Sequence, residues 1–335
     1  MSLMLTSKRR FLVTGGAGFI GSAFIRYGLQ KVSFCERIVN FDLLTYAGNL
    51  ENLSSVDQDR RYRFVQGNVC DEALMAALCR EEEIDTIVHF AAESHVDRSI
   101  EGPRAFFETN VGGTFALLEL LRQMPQLHFH HVSTDEVFGS LGEEGVFNES
   151  SRYAPNSPYA ASKAASDHFV RAYAHTYGLK TTLSYSTNNY GPGQFSEKFL
   201  PRMIARCLEK QPLPVYGSGI NVRDWLYVED HVEALWLILE KAAVGSIYGI
   251  SGGTEKRNID LLHLLIQELA LQLNEDPEQF YQLITFVPDR PGHDLRYAID
   301  PEKIQQELGW RPRHSLKEGL KKTVMSYLKT RIISC

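Results

Sequence analysis

Apolar residues along this chain follow two alternating rhythms. Short continuous runs, Phe11–Val13, Ile38–Phe41, Tyr62–Val65, Thr86–His89 and Phe129–Ser133, predict strands buried on both faces. Between them, Phe19–Lys31, Asp71–Glu83, Asn110–Gln123 and Tyr159–Tyr177 carry apolar positions at helical spacing. Strand and helix taking turns in this way predict an α/β fold with a doubly wound parallel sheet. Two further strands are expected near Thr181–Tyr185 and Ser246–Ile250. After residue 190 the texture changes, and Gly191-Pro192-Gly193, Gly217-Ser218-Gly219, Gly252-Gly253 and Asp289-Arg290-Pro291-Gly292 break the chain into short elements. That predicts a first domain over 9–190 and a smaller mixed α/β lobe over 191–330, with 220–250 returning to the sheet.

Composition narrows the class. Of 335 residues, 44% are hydrophobic and 23% charged, ordinary values for a globular protein. A net charge of −6 argues against a nucleic-acid surface. No apolar stretch approaches the ~20 residues of a membrane span; the richest, Ala234–Leu239, ends at Glu240-Lys241. Met1–Arg10 is basic but leads into Gly15, Gly16 and Gly18 rather than an apolar signal core. Cys35, Cys70, Cys79, Cys207 and Cys335 are odd in number and scattered, which suits reduced thiols. The expectation is a cytoplasmic protein with no membrane or nucleic-acid partner.

Candidate chemistry begins at Thr14–Gly21. Gly15, Gly18 and Gly21 lie between a strand and a helix, the spacing of a Rossmann loop that brings backbone N–H groups to a pyrophosphate. Asp42, 21 residues beyond Gly21, ends the second strand. A carboxylate there accepts from both ribose hydroxyls of NAD and repels the 2′-phosphate of NADP. Tyr159 and Lys163 stand four apart on one helical face, a phenol beside an ammonium that favours its phenolate. Ser133-Thr134-Asp135-Glu136 closes an apolar strand. Two adjacent carboxylates there either cap the next helix or, by mutual repulsion, split into one acid and one base. His128, His130 and His131 lack the spacing of a metal site, and no metal is expected. Trp225 reads as core rather than a stacking platform.

These residues resemble the extended short-chain dehydrogenase/reductase family of nucleotide-sugar enzymes. Phe41–Asn49, Ala91–Ser99, Ser133–Gly139, Asn188–Pro192, Arg223–His231 and Asp289–Asp294 are similar to its dTDP-glucose 4,6-dehydratase branch, from about residue 9 to 330. The resemblance implies a hydro-lyase with tightly bound NAD that oxidises C4, eliminates water across C5 and C6, and returns hydride to C6. It implies Tyr159 as base at the 4-hydroxyl, Thr134 at the 4-keto oxygen, Glu136 as C5 base, Asp135 as acid at the 6-hydroxyl, and Lys163 beside Tyr159. For NAD it implies Gly15, Gly18, Phe19, Ile20, Gly21, Asp42, Leu43, Leu44, Thr45, Asn68, Val69, Phe90, Ala91, Ala92, Thr109, Tyr159, Lys163 and Asn189. For the nucleotide sugar it implies Ser94, Thr134, Asn188, Glu197, Lys198, Arg223, Asn258, Asp289, Arg290 and His293. It also implies a homodimer joined through a four-helix bundle by Thr114–Leu121 and Ser162–Tyr173. A dehydratase acting on another nucleotide sugar such as UDP-glucose, or a 4-epimerase, shares most of these residues. Asn68 and Gly249 depart from the branch, which has Asp and Asn at those positions.

Cofactor extracted from the purified protein should be NAD⁺ or NADH. Recovery of NADP(H) alone would overturn the reading of Asp42.

Overall fold

A computed structural model of the protein describes residues 8–334, with side chains to Lys329. Cys335 and most of Met1–Arg10 fall outside that range. Twelve strands are described: β1 Arg9–Thr14, β2 Cys35–Asp42, β3 Tyr62–Gln66, β4 Thr86–His89, β5 His128–Thr134, β6 Lys180–Ser186, β7 Asn188–Tyr190, β8 Leu213–Tyr216, β9 Val222–Tyr227, β10 Ile247–Ile250, β11 Glu255–Arg257 and β12 Ile284–Val287. Seven of them form one sheet in the order β10-β6-β5-β4-β1-β2-β3, every pairing parallel. From β1 the chain winds outward to β2 and β3, then crosses back to β4 and continues the other way. The switch between β1 and β4 opens a crevice at the carboxyl ends of the strands, where such sheets hold ligands.

Helices cover both faces because each strand is apolar on both sides. On one face Glu72–Glu81, Gly113–Gln123 and Pro158–Tyr177 bury a core with Leu12, Ile87, Phe129 and Leu183. Phe19–Lys31, Val228–Lys241 and Glu302–Leu308 close the other face around Phe11, Val13, Val88 and Trp236. Past Tyr190 the chain is not one block. β7, β9 and β11 form a three-stranded sheet and β8 pairs with β12. These pack with Phe199–Leu208, Asn258–Leu273 and Leu316–Ser334 around a third core containing Leu213, Trp225 and Leu265. Trp225 is thus a core residue. Within 220–250, Val222–Tyr227 belongs to the smaller sheet, and the chain rejoins the large one only from Val228.

One helix differs from the expectation. Instead of a helix from Asn110, Pro103–Phe106 runs into a π-helical turn at Phe107–Gly112, and the regular helix starts at Gly113. Gly113 N–H reaches back five residues to Glu108 O. The wider turn leaves the Asn110 carbonyl accepting from the Thr114 and Ser166 hydroxyls, both at 2.7 Å. The three histidines of β5 are all buried or nearly so, and His130 sits between the Thr182 and Ser184 hydroxyls at 2.9 and 3.1 Å. At the departure from the branch pattern in β10, a Cβ at Gly249 would come within 2.4 Å of Ile299 Cγ2, so close packing calls for glycine.

The returning helix is fastened to the first one by Trp236. Its ring stacks on Phe24 with centroids 4.3 Å apart, and its Nε1–H donates to Phe24 O at 3.0 Å. A Cβ on Gly28 would lie 2.2 Å from Trp236 Cζ2. Urea unfolding should therefore show Trp236→Ala losing about 3–5 kcal/mol and Gly28→Ala about 1–3 kcal/mol through overpacking. Unchanged midpoints would mean that this contact does not fasten the returning segment.

Candidate active site

The turn after β1 is built for close approach. Gly15 has φ +71°, and a Cβ there would sit 2.5 Å from Ala91 N, so only glycine serves. A Cβ on Gly21 would press on Gly15 O at 2.3 Å. The helix Phe19–Lys31 begins at Gly18 with no side-chain cap, leaving its first N–H groups turned toward the crevice. Asp42 is buried at the end of β2, its Oδ2 accepting from Ala17 N at 2.9 Å and its Oδ1 from Leu44 N at 2.8 Å. Each oxygen keeps a further lone pair for a ribose hydroxyl. A cleft of about 330 Å³ runs from this turn to the end of β5. Asp135 Oδ2, Thr187 Oγ1, Asn188 Oδ1 and Gln194 Oε1 are buried in residues lining it, without a protein partner. Buried polar atoms are normally paired, so the cleft has the glycine turn, the acidic residue and the open acceptors that a dinucleotide and a polar substrate require.

The candidate reactive groups meet at the far end of that cleft. β5 ends at Thr134, and a tight 3₁₀ turn over Asp135–Phe138 follows at once. Thr134 Oγ1 donates to Asp135 Oδ1 at 3.2 Å and accepts from Glu136 N at 3.3 Å. Ser157 caps the next helix by accepting from Ala160 N at 3.1 Å, with Pro158 in the first turn, and this directs Tyr159 and Lys163 inward. Lys163 Nζ donates to Val132 O at 2.8 Å. Burial and the neighbouring Glu136 hold Asp135 well above the usual carboxylate range. Burial also raises Glu136, but Arg290, Arg223 and Lys198 pull it back. The Tyr159 phenol is raised by burial and by Glu136, against a hydrogen bond with Thr134. Burial lowers Lys163 to about 8, opposed by Asp167.

Comparison with known proteins agrees with this geometry. The family model described as GDP-mannose 4,6 dehydratase matches residues 12–323. A probable dTDP-glucose 4,6-dehydratase from Sinorhizobium fredii is 50% identical over 332 residues, spanning 96% of this chain and 93% of the relative. The chain belongs to the dTDP-glucose 4,6-dehydratase family. A dTDP-glucose 4,6-dehydratase from Salmonella typhimurium is 46% identical over 337 residues, spanning 95% of this chain and 92% of that one. The crystal structure of the Streptomyces venezuelae dTDP-glucose 4,6-dehydratase, solved with NAD bound, superposes with a TM-score of 0.91 at 46% identity, covering 97% and 98% of the two chains. A UDP-glucose 4-epimerase from Thermotoga maritima shares the fold with a TM-score of 0.85 at 29% identity, covering 96% and 99%.

Within this dehydratase-family cleft, most of the residues expected at the cofactor line the wall: Gly15, Gly18, Phe19, Ile20, Gly21, Asp42, Leu43, Thr45, Asn68, Val69, Phe90, Ala91, Ala92, Thr109, Tyr159, Lys163 and Asn189. Leu44 stands outside it, at φ +57°, and offers its N–H to Asp42 instead. Asn68 spends its Oδ1 on Cys70 N at 2.9 Å, which leaves its amide N–H groups for a ligand. Ser94, Thr134, Asn188, Glu197 and Lys198 line the same cleft, but Arg223, Asn258, Asp289, Arg290 and His293 do not. Arg223 Nη2 donates to Asp294 O at 2.9 Å, and its guanidinium lies over Tyr297. Arg290 reaches Asp97 at 3.4 Å, His293 pairs with Asp289 at 2.6 Å, and Asn258 opens the helix Asn258–Leu273.

Sequence reasoning missed two supporting residues. Asn110 Oδ1 accepts from Glu93 N at 2.8 Å while its Nδ2 donates to Ser162 Oγ at 2.8 Å, tying the loop after β4 to the Tyr159 helix. Asp167 lies buried behind Lys163. The polar Asn110 just before the apolar helix Gly113–Gln123 and the acid four positions after Lys163 were the available signals.

Proposed function

We propose that the chain converts dTDP-glucose into dTDP-4-keto-6-deoxyglucose and water. The observation that carries this reading is the acid pair Asp135 and Glu136, the first buried and the second half-buried, adjacent in a single turn and facing Tyr159 in the cleft that also holds the glycine turn. A 4-epimerase needs Tyr159 and the cofactor but has no use for a buried carboxyl beside a half-buried one, and withdrawing them from water is costly unless the chemistry employs them.

Bound NAD supplies the hydride acceptor for C4, returns the hydride to C6, and brings a positive ring that favours the Tyr159 phenolate. Tyr159 takes the proton of the 4-hydroxyl while Lys163, fixed by Val132 O, holds positive charge close by. Thr134 presents its hydroxyl to the 4-oxygen. The resulting ketone acidifies C5–H, and Glu136, held nearer its ordinary range by Arg290, Arg223 and Lys198, removes that proton. Burial and Glu136 disfavour the Asp135 anion, which suits this carboxyl to hold a proton and pass it to the departing 6-hydroxyl. Glu136 then returns its proton to C5 as C6 is reduced. Arg223, Lys198 and Arg290 supply positive charge suited to a diphosphate.

Two further readings accompany this one. Phe107, Phe115, Phe169 and Tyr177 are exposed on the paired helices Gly113–Gln123 and Pro158–Tyr177 and the turn before them, and Phe115, Phe169 and Tyr173 contact one another edge to face. Such a patch fits a second copy of the chain, two helices from each forming a four-helix bundle. Cytoplasmic residence is supported by the free thiols of Cys35, Cys70, Cys79 and Cys207. Among the described residues no helix is long and apolar enough to cross a membrane.

Incubation with dTDP-glucose should yield a product lighter by one water that absorbs near-ultraviolet light in alkali. Asp135→Asn should lower product formation by ~10²–10⁴-fold yet still exchange C5–H with solvent deuterium, whereas Glu136→Gln should lose both. Wild-type turnover by Asp135→Asn, or retained exchange by Glu136→Gln, would reverse these roles. For the bundle, Phe169→Asp should sediment as a monomer where the unaltered protein is a dimer; an unaltered dimer would place the interface elsewhere.

A further inference from the structure

Behind Lys163 lies a buried polar cluster that the reaction as described does not use. Lys163 Nζ is 3.5 Å from His131 Nε2, and the same ring nitrogen is 3.1 Å from Asp167 Oδ1. Asp167 Oδ2 accepts from Ser133 Oγ at 2.7 Å and from the Tyr153 hydroxyl at 3.1 Å, and Tyr153 in turn meets the Tyr185 hydroxyl. His131 and Asp167 have no measurable exposure, and Lys163 has 5%. Asp167 is one helical turn past Lys163 and two past Tyr159, so all three share a face of the helix Pro158–Tyr177.

A buried ammonium ion sheds its proton unless a negative charge stands near it. The groups facing Lys163 are His131 from β5, His89 from β4 and Asp167 from its own helix, and Asp167 in turn faces Ser133 from β5, Tyr185 from β6, Tyr153 from the segment before the helix, and Tyr159 and His168 from the helix itself. Among them Asp167 is the carboxylate that acts on Lys163. Burial keeps His131 neutral, so it spaces the two charges without cancelling either.

We propose that Asp167 is a positioning residue for the Tyr159 proton step: it is the buried counter-charge that keeps Lys163 an ammonium ion, with the His131 ring set between them. The proposal rests on the role given to Lys163 above. Its shifts define a working window. Burial lifts Asp167 to about 6, against the pull of Lys163, Ser133 and Tyr153. Asp167 is therefore ionised above that pH, and Lys163 is charged below about 8. Both charges coexist between those values, and removing the Asp167 charge lowers the upper edge.

The test is kcat/KM against pH for the intact protein and for Asp167→Asn, Lys163→Met and the double variant. In Asp167→Asn the descending limb should move down by about one pH unit or more, roughly a tenfold change in the Lys163 proton equilibrium. In the Lys163→Met background the same substitution should change little. A limb that superimposes on the unaltered profile after scaling overturns the proposal, whatever the melting temperature. So does an equal loss in both backgrounds. Should Asp167→Asn not fold, Tyr153→Phe decides: it removes one hydrogen bond from the Asp167 carboxylate, so the ascending limb should move up, and an unmoved limb counts against the proposal. Full activity of Lys163→Met would overturn instead the role of Lys163.

Discussion

Parallel pairing governs this molecule. Because every strand of the large sheet runs the same way, all their carboxyl ends reach one edge, and the groups of the site hang from that edge. The glycine turn leaves β1, Asp42 ends β2, the Phe90–Ser94 loop leaves β4, and Thr134 ends β5. Asn188 and Asn189 follow directly on β6. The same pairing demands long crossovers, and the helices that provide them bring Tyr159 and Lys163 back to the edge from the other direction.

The second governing fact is charge without water. Asp135, Lys163, Asp167 and Arg223 are nearly or wholly buried, and such groups survive only where partners or chemistry hold them. Here burial sets up unequal neighbours. Asp135 and Glu136 are adjacent in sequence, yet Asp135 has Glu136 and Asp224 against Arg223, while Glu136 has Arg290, Arg223 and Lys198 against Asp294. That difference of surroundings, more than residue type, separates the proposed acid from the proposed base. The lysine side is built in the same manner, with a carboxylate from its own helix one ring away.

Legibility in the sequence followed the range of the interactions. The helix Phe19–Lys31 and the strand Thr86–His89 came out at their observed limits because apolar spacing and the flanking glycines are local signals. Thr134, Asp135, Glu136, Tyr159 and Lys163 could be singled out as candidates for a related reason, since each group of residues sits within one strand end or one helix face. The π-helical turn at Phe107–Gly112 was not, because it arises from what Asn110 must reach in the loop after β4 and in the Tyr159 helix. Arg223, Asp289, Arg290 and His293 were expected against the ligand from the resemblance, and what the sequence did not show is what each holds within the protein: Asp294 O for Arg223, Asp97 for Arg290, and the Asp289–His293 pair. The partners of Arg223 and Arg290 lie far away in the chain, beyond what spacing reports. Asp167 escaped notice because an acid on a helix usually points to solvent, and only the packing of β5 against that helix shows otherwise.

The path of the chain after Tyr190 bears on how this molecule can be taken apart. It leaves the large sheet at Thr187, returns at Val228, leaves again past Ser251, and comes back to lay Glu302–Leu308 beside β10 before the last helix departs. Layers sewn together by so many passes have no single hinge to swing on. A protease cut in any one connection would leave the halves still threaded through each other, and a fragment ending near residue 190 would bare β6 as a raw sheet edge. The architecture is inherited as a whole: neither layer can be borrowed for another protein without unpicking the other.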